Sequence, residues 1–262
     1  MNPKLLAVDG LGMLRRIYGA NPSTNEQEKA EGTIVTMQQS FRRALREHEP
    51  THCLFAFDAG GQTWRHELYP PYKAGRQPMT AELQAELVKY KQQLAEEGWV
   101  QVEHPGHEAD DTLNSVAFSA LSVTAEVVLL ASDKDVAAAG QYGAKVYDHF
   151  EHAWHNSAWC WNKFGVGPDR LQDWLALVGD STDGVPGVPK VGDKTATKLL
   201  REHGDLEGVL AAAATFKGKV GENLRNEADT ARLSRQLTAL RVDLFPAGLD
   251  WDTMRVPRAA RH

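Results

Sequence analysis

Three short apolar runs in this chain end in aspartate: Leu5 to Asp9 (LLAVD), Cys53 to Asp58 (CLFAFD) and Val127 to Asp133 (VVLLASD). Unbroken apolar runs of that length are the mark of strands buried on both faces of a parallel sheet. Helical spacing fills the intervals between them. Ile34, Gln38, Phe41 and Leu45 share one helical face, as do Leu83, Leu87, Tyr90 and Leu94, and then Leu113, Val116 and Ala117. Strands alternating with helices predict an α/β fold with a doubly wound, mainly parallel central sheet. In such sheets ligands sit beyond the carboxyl ends of the strands, where Asp9, Asp58 and Asp133 would converge. One aspartate at a strand end is ordinary, because Asp suits turns. Three on separate strands are harder to dismiss.

The same reasoning locates further acids. HEADD places Glu108, Asp110 and Asp111 at the start of the Leu113 helix, with Glu108 and Asp111 three apart and on one face. Acids also suit a helix's first turn, but that accounts poorly for three within four residues. SDKD adds Asp135 after Asp133, and GDSTD supplies Asp180 and Asp183. So many carboxylates cannot all stay ionised at contact distance without cations. Oxygen ligands without His or Cys select Mg²⁺ or Mn²⁺ over zinc. Two such ions about 3.5–4 Å apart clamp the attacking and leaving oxygens of a phosphodiester, and one lowers the pKa of a bound water. Phosphodiester hydrolysis is the chemistry these residues fit.

A net charge of −6 taken alone argues against nucleic acid as a partner. Setting these nine carboxylates aside leaves 26 acidic against 29 basic residues, so the remaining surface is slightly positive. The segment Trp64 to Thr80 carries Arg65, His66, Lys73 and Arg76 among Tyr69, Tyr72 and prolines. It reads as an exposed basic excursion without evident acidic partners, ordered by substrate. Past Pro168 the chain turns helical, with Leu171, Trp174, Leu175 and Val178 on one face, then a Gly/Pro-rich turn and helices to about Leu240. Two cysteines are too few for a disulfide scaffold and fit no metal spacing. The apolar N-terminal run is too short for a signal peptide or a membrane span, so a cytoplasmic protein without membrane contact is expected.

Taken in order, VDG with Arg16, FDA…TWRHELYPPYKAGR, PGHEADD, SDKD, GDSTDGVPG and VGDKTATKLL resemble the 5′-nuclease family. That family includes the N-terminal domain of bacterial DNA polymerase I and the flap endonucleases. The resemblance runs from about Leu5 to Leu244 and implies a single domain over residues 1–262. Residues 1–165 would form the catalytic core, with a helical arch at about 64–95. A helical DNA-binding region at 166–245 would hold a helix-three-turn-helix at about 184–204. The resemblance assigns Asp9, Asp58, Glu108 and Asp110, with Asp111 nearby, to a first metal cluster. Asp133, Asp135, Asp180 and Asp183 fall in a second. Lys73 and Arg76 match the basic element of the arch that acts on the scissile phosphate, and Arg16 is a further phosphate-side residue. The turn carrying Val185, Gly187, Val188, Lys190, Val191, Gly192, Lys194 and Thr195 would hold K⁺ and a duplex phosphate. Two positions depart from the family pattern: Lys190 stands where glycine is usual, and Gly184 where asparagine is usual. The implied function is 5′→3′ exonuclease and flap endonuclease activity on DNA with a 5′ flap, overhang or junction, by a monomer. The alternatives are a catalytically silent DNA-junction binder, or a PIN-type ribonuclease sharing the sheet. His149, His152 and His155 recur every three residues beside Trp154, Trp159 and Trp161, whose indoles fit a β-hairpin packed on the core.

Overall fold

The computed structural model describes residues 2–257 and 260. In chain order the elements are β1 (Lys4–Asp9), α1 (Gly10–Ala20), α2 (Glu26–His48), β2 (His52–Ala56), α3 (Trp64–Leu68), α4 (Ala81–Glu96), β3 (Val100–Val102), α5 (Ala109–Ser119), β4 (Glu126–Leu130), β5 (Lys145–Asp148) and β6 (Ala153–Trp154). Helices α6 (Ser157–Phe164), α7 (Leu171–Val178), α8 (Asp193–His203), α9 (Leu206–Ala211), α10 (Gly218–Asn226) and α11 (Ala228–Thr238) follow. The chain divides into two compact units with interleaved boundaries. One is Met1–Gly61, Gln77–Trp154 and Arg241–His262; the other is Gln62–Arg76 and His155–Leu240.

The first unit is the α/β layer structure. Its sheet runs β3-β2-β1-β4-β5-β6, with β6 antiparallel to β5 and every other pairing parallel. Leu5, Leu6, Ala7 and Val8 have no exposed surface because side chains alternate between two covered faces. Leu6, Val8, Cys53, Phe55, Val128 and Leu130 enter one core with residues of α1, α2 and α4. Leu5, Ala7, Leu54, Ala56, Val127 and Leu129 enter the other, against α5. Each fully buried leucine contributes about 1.5–3 kcal/mol, and here both faces collect it. The strand order reverses between β1 and β4, the switch point beyond which such sheets bind ligands.

The second unit is helical. Tyr72, Val185 and Leu237 form a small core with Tyr69 and Leu233. The segment read as an exposed basic excursion is anchored here by its own arginine. Arg65 is 2% exposed, its Nε donating to the Leu237 carbonyl (2.8 Å) and its Nη2 to that of Ala239 (2.7 Å). Its guanidinium lies 4.4 Å from the Trp64 ring centroid. The hairpin expected around the indoles is confined to β5 and β6, which carries Trp154; Trp159 and Trp161 lie on α6. Asn156 caps that helix, its side chain accepting from the Trp159 N–H, and this starts a helix where a strand was expected.

Candidate active site

In the α/β unit, the chain leaves β1 at Asp9 and enters α1 at once. Asp9 is the helix N-cap: its Oδ1 accepts the Gly12 N–H at 2.7 Å. A Cβ at position 12 would lie 1.9 Å from Asp9 Oδ2, so only glycine lets the carboxylate sit there. Gly10 plays the same part beside the Phe57 ring, 2.2 Å from where its Cβ would be. Asp58, just past β2, accepts the Ala109 N–H at 2.7 Å and thereby ties its strand end to the first turn of α5. Glu108 and Asp110 stand on that turn. Beyond β4, Asp133 Oδ1 accepts the Asp135 N–H at 2.9 Å, and Asp135 Oδ1 lies 3.3 Å from Lys134 Nζ.

These carboxylates act on one another. The Asp9 carboxyl is pushed up to about 7, chiefly by burial and further by the charges of Asp58 and Asp133. The Gly12 N–H and Arg15 oppose the rise without cancelling it. A hard cation among these oxygens would remove that cost, and an oxygen-only donor set is what Mg²⁺, Mn²⁺ or Ca²⁺ takes. Asp111 is differently employed. It is fully buried, with Oδ1 accepting the Arg241 N–H (3.1 Å) and Oδ2 the Glu108 N–H (3.3 Å). Asn114 and Ser115 side chains bind the Arg241 carbonyl, both at 2.9 Å. Asp111 thus braces the start of α5 against the C-terminal segment. Arg16 lies on the surface of α1, 3.6 Å from Glu151 and 5.8 Å from the Phe150 ring centroid.

The helical unit holds the second constellation. Asp183 sits between two cations: Arg76 Nη2 at 2.9 Å and Lys73 Nζ at 3.4 Å, with the Tyr72 hydroxyl donating at 3.3 Å. The basic residues expected to lack acidic partners therefore have one. Lys73 also donates its backbone N–H to the Asp183 carbonyl (2.8 Å) and holds a left-handed φ of 53°. Strained backbone of that kind persists where the surroundings over-determine it. Asp180 is buried, its Oδ1 accepting the Thr182 N–H at 2.8 Å, and it bridges Val185 through two backbone bonds.

The turn from Val185 to Gly192 is packed from below and pinned from the side. Val185, Val188 and Val191 are buried. The Pro186 carbonyl accepts from Ser234 Oγ (2.5 Å) and the Pro189 carbonyl from Asn223 Nδ2 (2.6 Å). Gly187 packs so closely on Val178 that a Cβ would sit 2.2 Å from its carbonyl oxygen. The two departures from the family pattern resolve alike. Gly184 has φ +70°, which asparagine also tolerates, and Lys190 takes φ +68°, keeping the left-handed conformation glycine would adopt. Gly192 then caps α8, whose first turn carries Lys194 and Thr195.

Sequence reasoning missed Gly12, the brace through Asp111 and Arg241, and the Arg65 anchor. Only the VDGLG string carried a local signal for the first.

The comparisons with known proteins agree with this layout. Residues 4–165 match the 5′-3′ exonuclease N-terminal resolvase-like domain, and residues 166–262 its C-terminal SAM fold. Flap endonuclease Xni of Shewanella oneidensis is 32% identical over 253 residues, covering 97% of this chain and 95% of that protein. Phage T5 5′-exonuclease with bound divalent metal ions (zinc) superposes with a TM-score of 0.75 at 18% identity, covering 98% and 97% of the two chains. Phage T5 flap endonuclease in a pseudo-enzyme–product complex with DNA and metal ions gives 0.74 at 18%, covering 98% and 99%. The fold is theirs, and the two family matches span the chain from residue 4 to its end: this protein belongs to the 5′-3′ exonuclease family.

Proposed function

We propose that this protein hydrolyses DNA phosphodiester bonds at 5′ flaps, overhangs and ends, using two divalent cations, Mg²⁺ or Mn²⁺, held by its carboxylates. Membership of the family makes it a metal-dependent nuclease; the substrate, the ions and the residue roles are the inference. The observation that carries it is the convergence of Asp9, Asp58 and Asp133 at the carboxyl ends of three parallel strands, with Glu108 and Asp110 on the turn bonded to Asp58. Divalent ions there supply charge neutralisation and an activated water. In the α/β unit, Asp9, Asp58, Glu108, Asp110, Asp133 and Asp135 are the residues to hold them, with Asp111 fixing the turn. In the helical unit, Asp180 and Asp183 are the carboxylates that the family pattern assigns to metal. Lys73 and Arg76 carry the positive charge suited to the scissile phosphate, and Arg16 adds to it. The turn from Val185 to Gly192 is proposed to grip a duplex phosphate through backbone N–H groups and a K⁺ ion. Lys190 lies ready to share that charge. The protein is proposed to act as a monomer in the cytoplasm, where its buried cysteines stay reduced; none of its described helices is long and apolar enough to cross a membrane.

The test is digestion of a 5′-flap DNA and a matched RNA, each with Mg²⁺ or with EDTA. Cleavage of the DNA alone, and only with the metal, supports the reading. Cleavage of the RNA alone indicates a ribonuclease, and tight DNA binding without cleavage indicates a silent junction binder. Asp133→Ala should abolish cleavage while leaving DNA binding intact or stronger, because it removes a ligand and a negative charge together.

A further inference from the structure

Helices α2 and α4 pack on the same face of the sheet, and each turns one stripe toward the other. Gln38, Arg42, Leu45 and Arg46 follow helical spacing along α2 to its C-cap Glu49. Tyr90, Gln93 and Leu94 do so along α4 to its C-cap Glu97. The stripes are bridged where Gln38 Nε2 donates to Gln93 Oε1 at 2.8 Å. The C-terminal segment supplies a third side, its Val256 N–H donating to the Thr51 carbonyl at 3.0 Å. Together they line a groove of about 920 Å³, within the size of small-molecule sites, about 300–1,000 Å³. The groove lies away from the carboxylates of the same unit. Helix α2 leads into β2 and α4 into β3, so the helix ends that line it stand at the amino ends of those strands, whereas Asp58 follows the carboxyl end of β2.

The floor is apolar. Phe41 and Trp99 meet edge to face with ring centroids 4.8 Å apart, and Leu94 and Val256 are buried beside them. The α2 wall is cationic: Arg42 and Arg46 are exposed, one turn and about 6 Å apart along the axis, and neither has an ion pair among the described residues. The α4 wall keeps its own carboxylate occupied, since Glu97 accepts the Gln93 amide at 2.7 Å and the Trp99 indole N–H at 3.0 Å. Glu49 stands at the end of its stripe, past both guanidiniums. Tyr90 is 2% exposed, and its hydroxyl has no hydrogen-bond partner among the described residues. Burial raises the pKa of that hydroxyl, the charges of Glu97 and Cys53 add to the rise, and the charge of Arg42 opposes it. Buried hydroxyls are nearly always paired, so this one marks a wall that a ligand's polar atom would complete.

We propose that this groove is a second ligand site, which binds a nucleoside 5′-monophosphate, the class of product that a 5′-exonuclease releases. The planar base lies over the apolar floor between the helices. The Gln38 and Gln93 amides and the Tyr90 hydroxyl offer hydrogen bonds to its edge, and the phosphate takes the Arg42 and Arg46 guanidiniums. The occupant is chosen on charge and shape: two guanidiniums without acidic partners select an oxyanion, and an apolar cleft between helices admits a flat ring. The choice of a nucleotide rests on the proposed exonuclease activity.

The experiment titrates dAMP into the protein in EDTA by calorimetry, with deoxyadenosine and inorganic phosphate as comparison ligands, and records the melting temperature of each variant. Wild type should bind dAMP with submillimolar affinity and each comparison ligand at least about tenfold more weakly, the scale of one lost charge-assisted bond. The double variant Arg42→Gln, Arg46→Gln should lose at least about tenfold in dAMP affinity while flap cleavage with Mg²⁺ keeps its wild-type rate. Lys73→Gln, at the proposed scissile-phosphate site, should leave dAMP affinity unchanged. Tyr90→Phe should weaken dAMP several-fold although the free protein melts no lower, because the hydroxyl it removes is unpaired; a purely structural tyrosine would not separate the two. No dAMP binding by wild type, wild-type affinity in the double variant, or loss of binding in Lys73→Gln overturns the groove. If wild type cleaves flap DNA and any of these results is seen, only the groove fails. If dAMP binds as described and wild type cleaves no DNA, the nuclease reading falls and the nucleotide site stands.

Discussion

The two units of this protein treat their carboxylates in opposite ways. In the α/β unit burial, and after it the charges of Asp58 and Asp133, push the Asp9 carboxyl up to about 7. In the helical unit Asp183, half-buried, has Arg76, Lys73 and Tyr72 around it. The first group bears a cost of buried and mutually repelling charge that a cation would relieve, whereas the second already has its countercharge in the chain. The fold explains the contrast. Strands of a parallel sheet all end on one side, so chemistry placed at their ends is crowded by geometry. Asp183 instead meets a segment that is itself basic and anchored by Arg65.

The largest effect should come from breaking the crowded cluster without touching a carboxylate. Gly12→Ala places a methyl 1.9 Å from where Asp9 Oδ2 now sits, and the carboxylate must move. A displacement on the order of 1 Å costs about 10²-fold in rate, and cleavage should fall by that factor while the melting temperature changes little. Retained turnover would separate Asp9 from the chemistry.

The helical unit offers the matching test. Arg65→Met leaves the Leu237 and Ala239 carbonyls without this donor in a buried place. A loss of about 3 kcal/mol is expected in urea unfolding, the scale for unpaired buried acceptors. An unchanged midpoint would show that the segment bearing Lys73 and Arg76 does not depend on this anchor.

A smaller effect concerns pH. His149 is held low, at about 4, by burial first and by the Arg43 guanidinium second; Glu47 partly opposes them. Arg43 Nη2 lies 2.6 Å from its Nε2, so the folded ring is a neutral acceptor. The unfolded chain takes up this proton below about 6.5, the folded one only near 4. Stability from this group is therefore complete above about 6.5 and is lost as the pH falls toward 4. His149→Gln should flatten the pH dependence of the urea midpoint in that window, and an unchanged slope would contradict it.

The smallest is Lys190→Gly. Relief of a left-handed φ is worth roughly 1 kcal/mol, and the flexibility of glycine offsets about half or more of it. A melting-temperature rise of at most a few degrees is expected. A clear fall would mean that the lysine side chain supports the turn.

The contrast between the units also marks what was legible in the sequence. Strands β1, β2 and β4 declared themselves because both faces are buried and the runs are apolar throughout, and α2, α4 and α5 through their periodicity. Strands β3, β5 and β6 are too short for a period to register. The carboxylates at strand ends were legible as a group, but their division of labour was not. Asp111 looks like its neighbours in HEADD, yet it turns inward to a backbone N–H 130 residues away. Arg65 looks like a surface cation among other cations, and its burial follows from carbonyls at the end of α11 that no local pattern announces. Partners distant in sequence decide such roles, whereas periodicity reports only a residue's own element.

The difference in stored charge is open to direct measurement by isothermal titration of Mg²⁺ into wild type, Asp9→Asn and Arg76→Gln, without DNA. Divalent binding should be measurable in wild type and Arg76→Gln, and at least about tenfold weaker in Asp9→Asn, since the proposed site loses a carboxylate charge. Equal Mg²⁺ affinity in Asp9→Asn and wild type would show that the strand-end carboxylates are not where the cation binds.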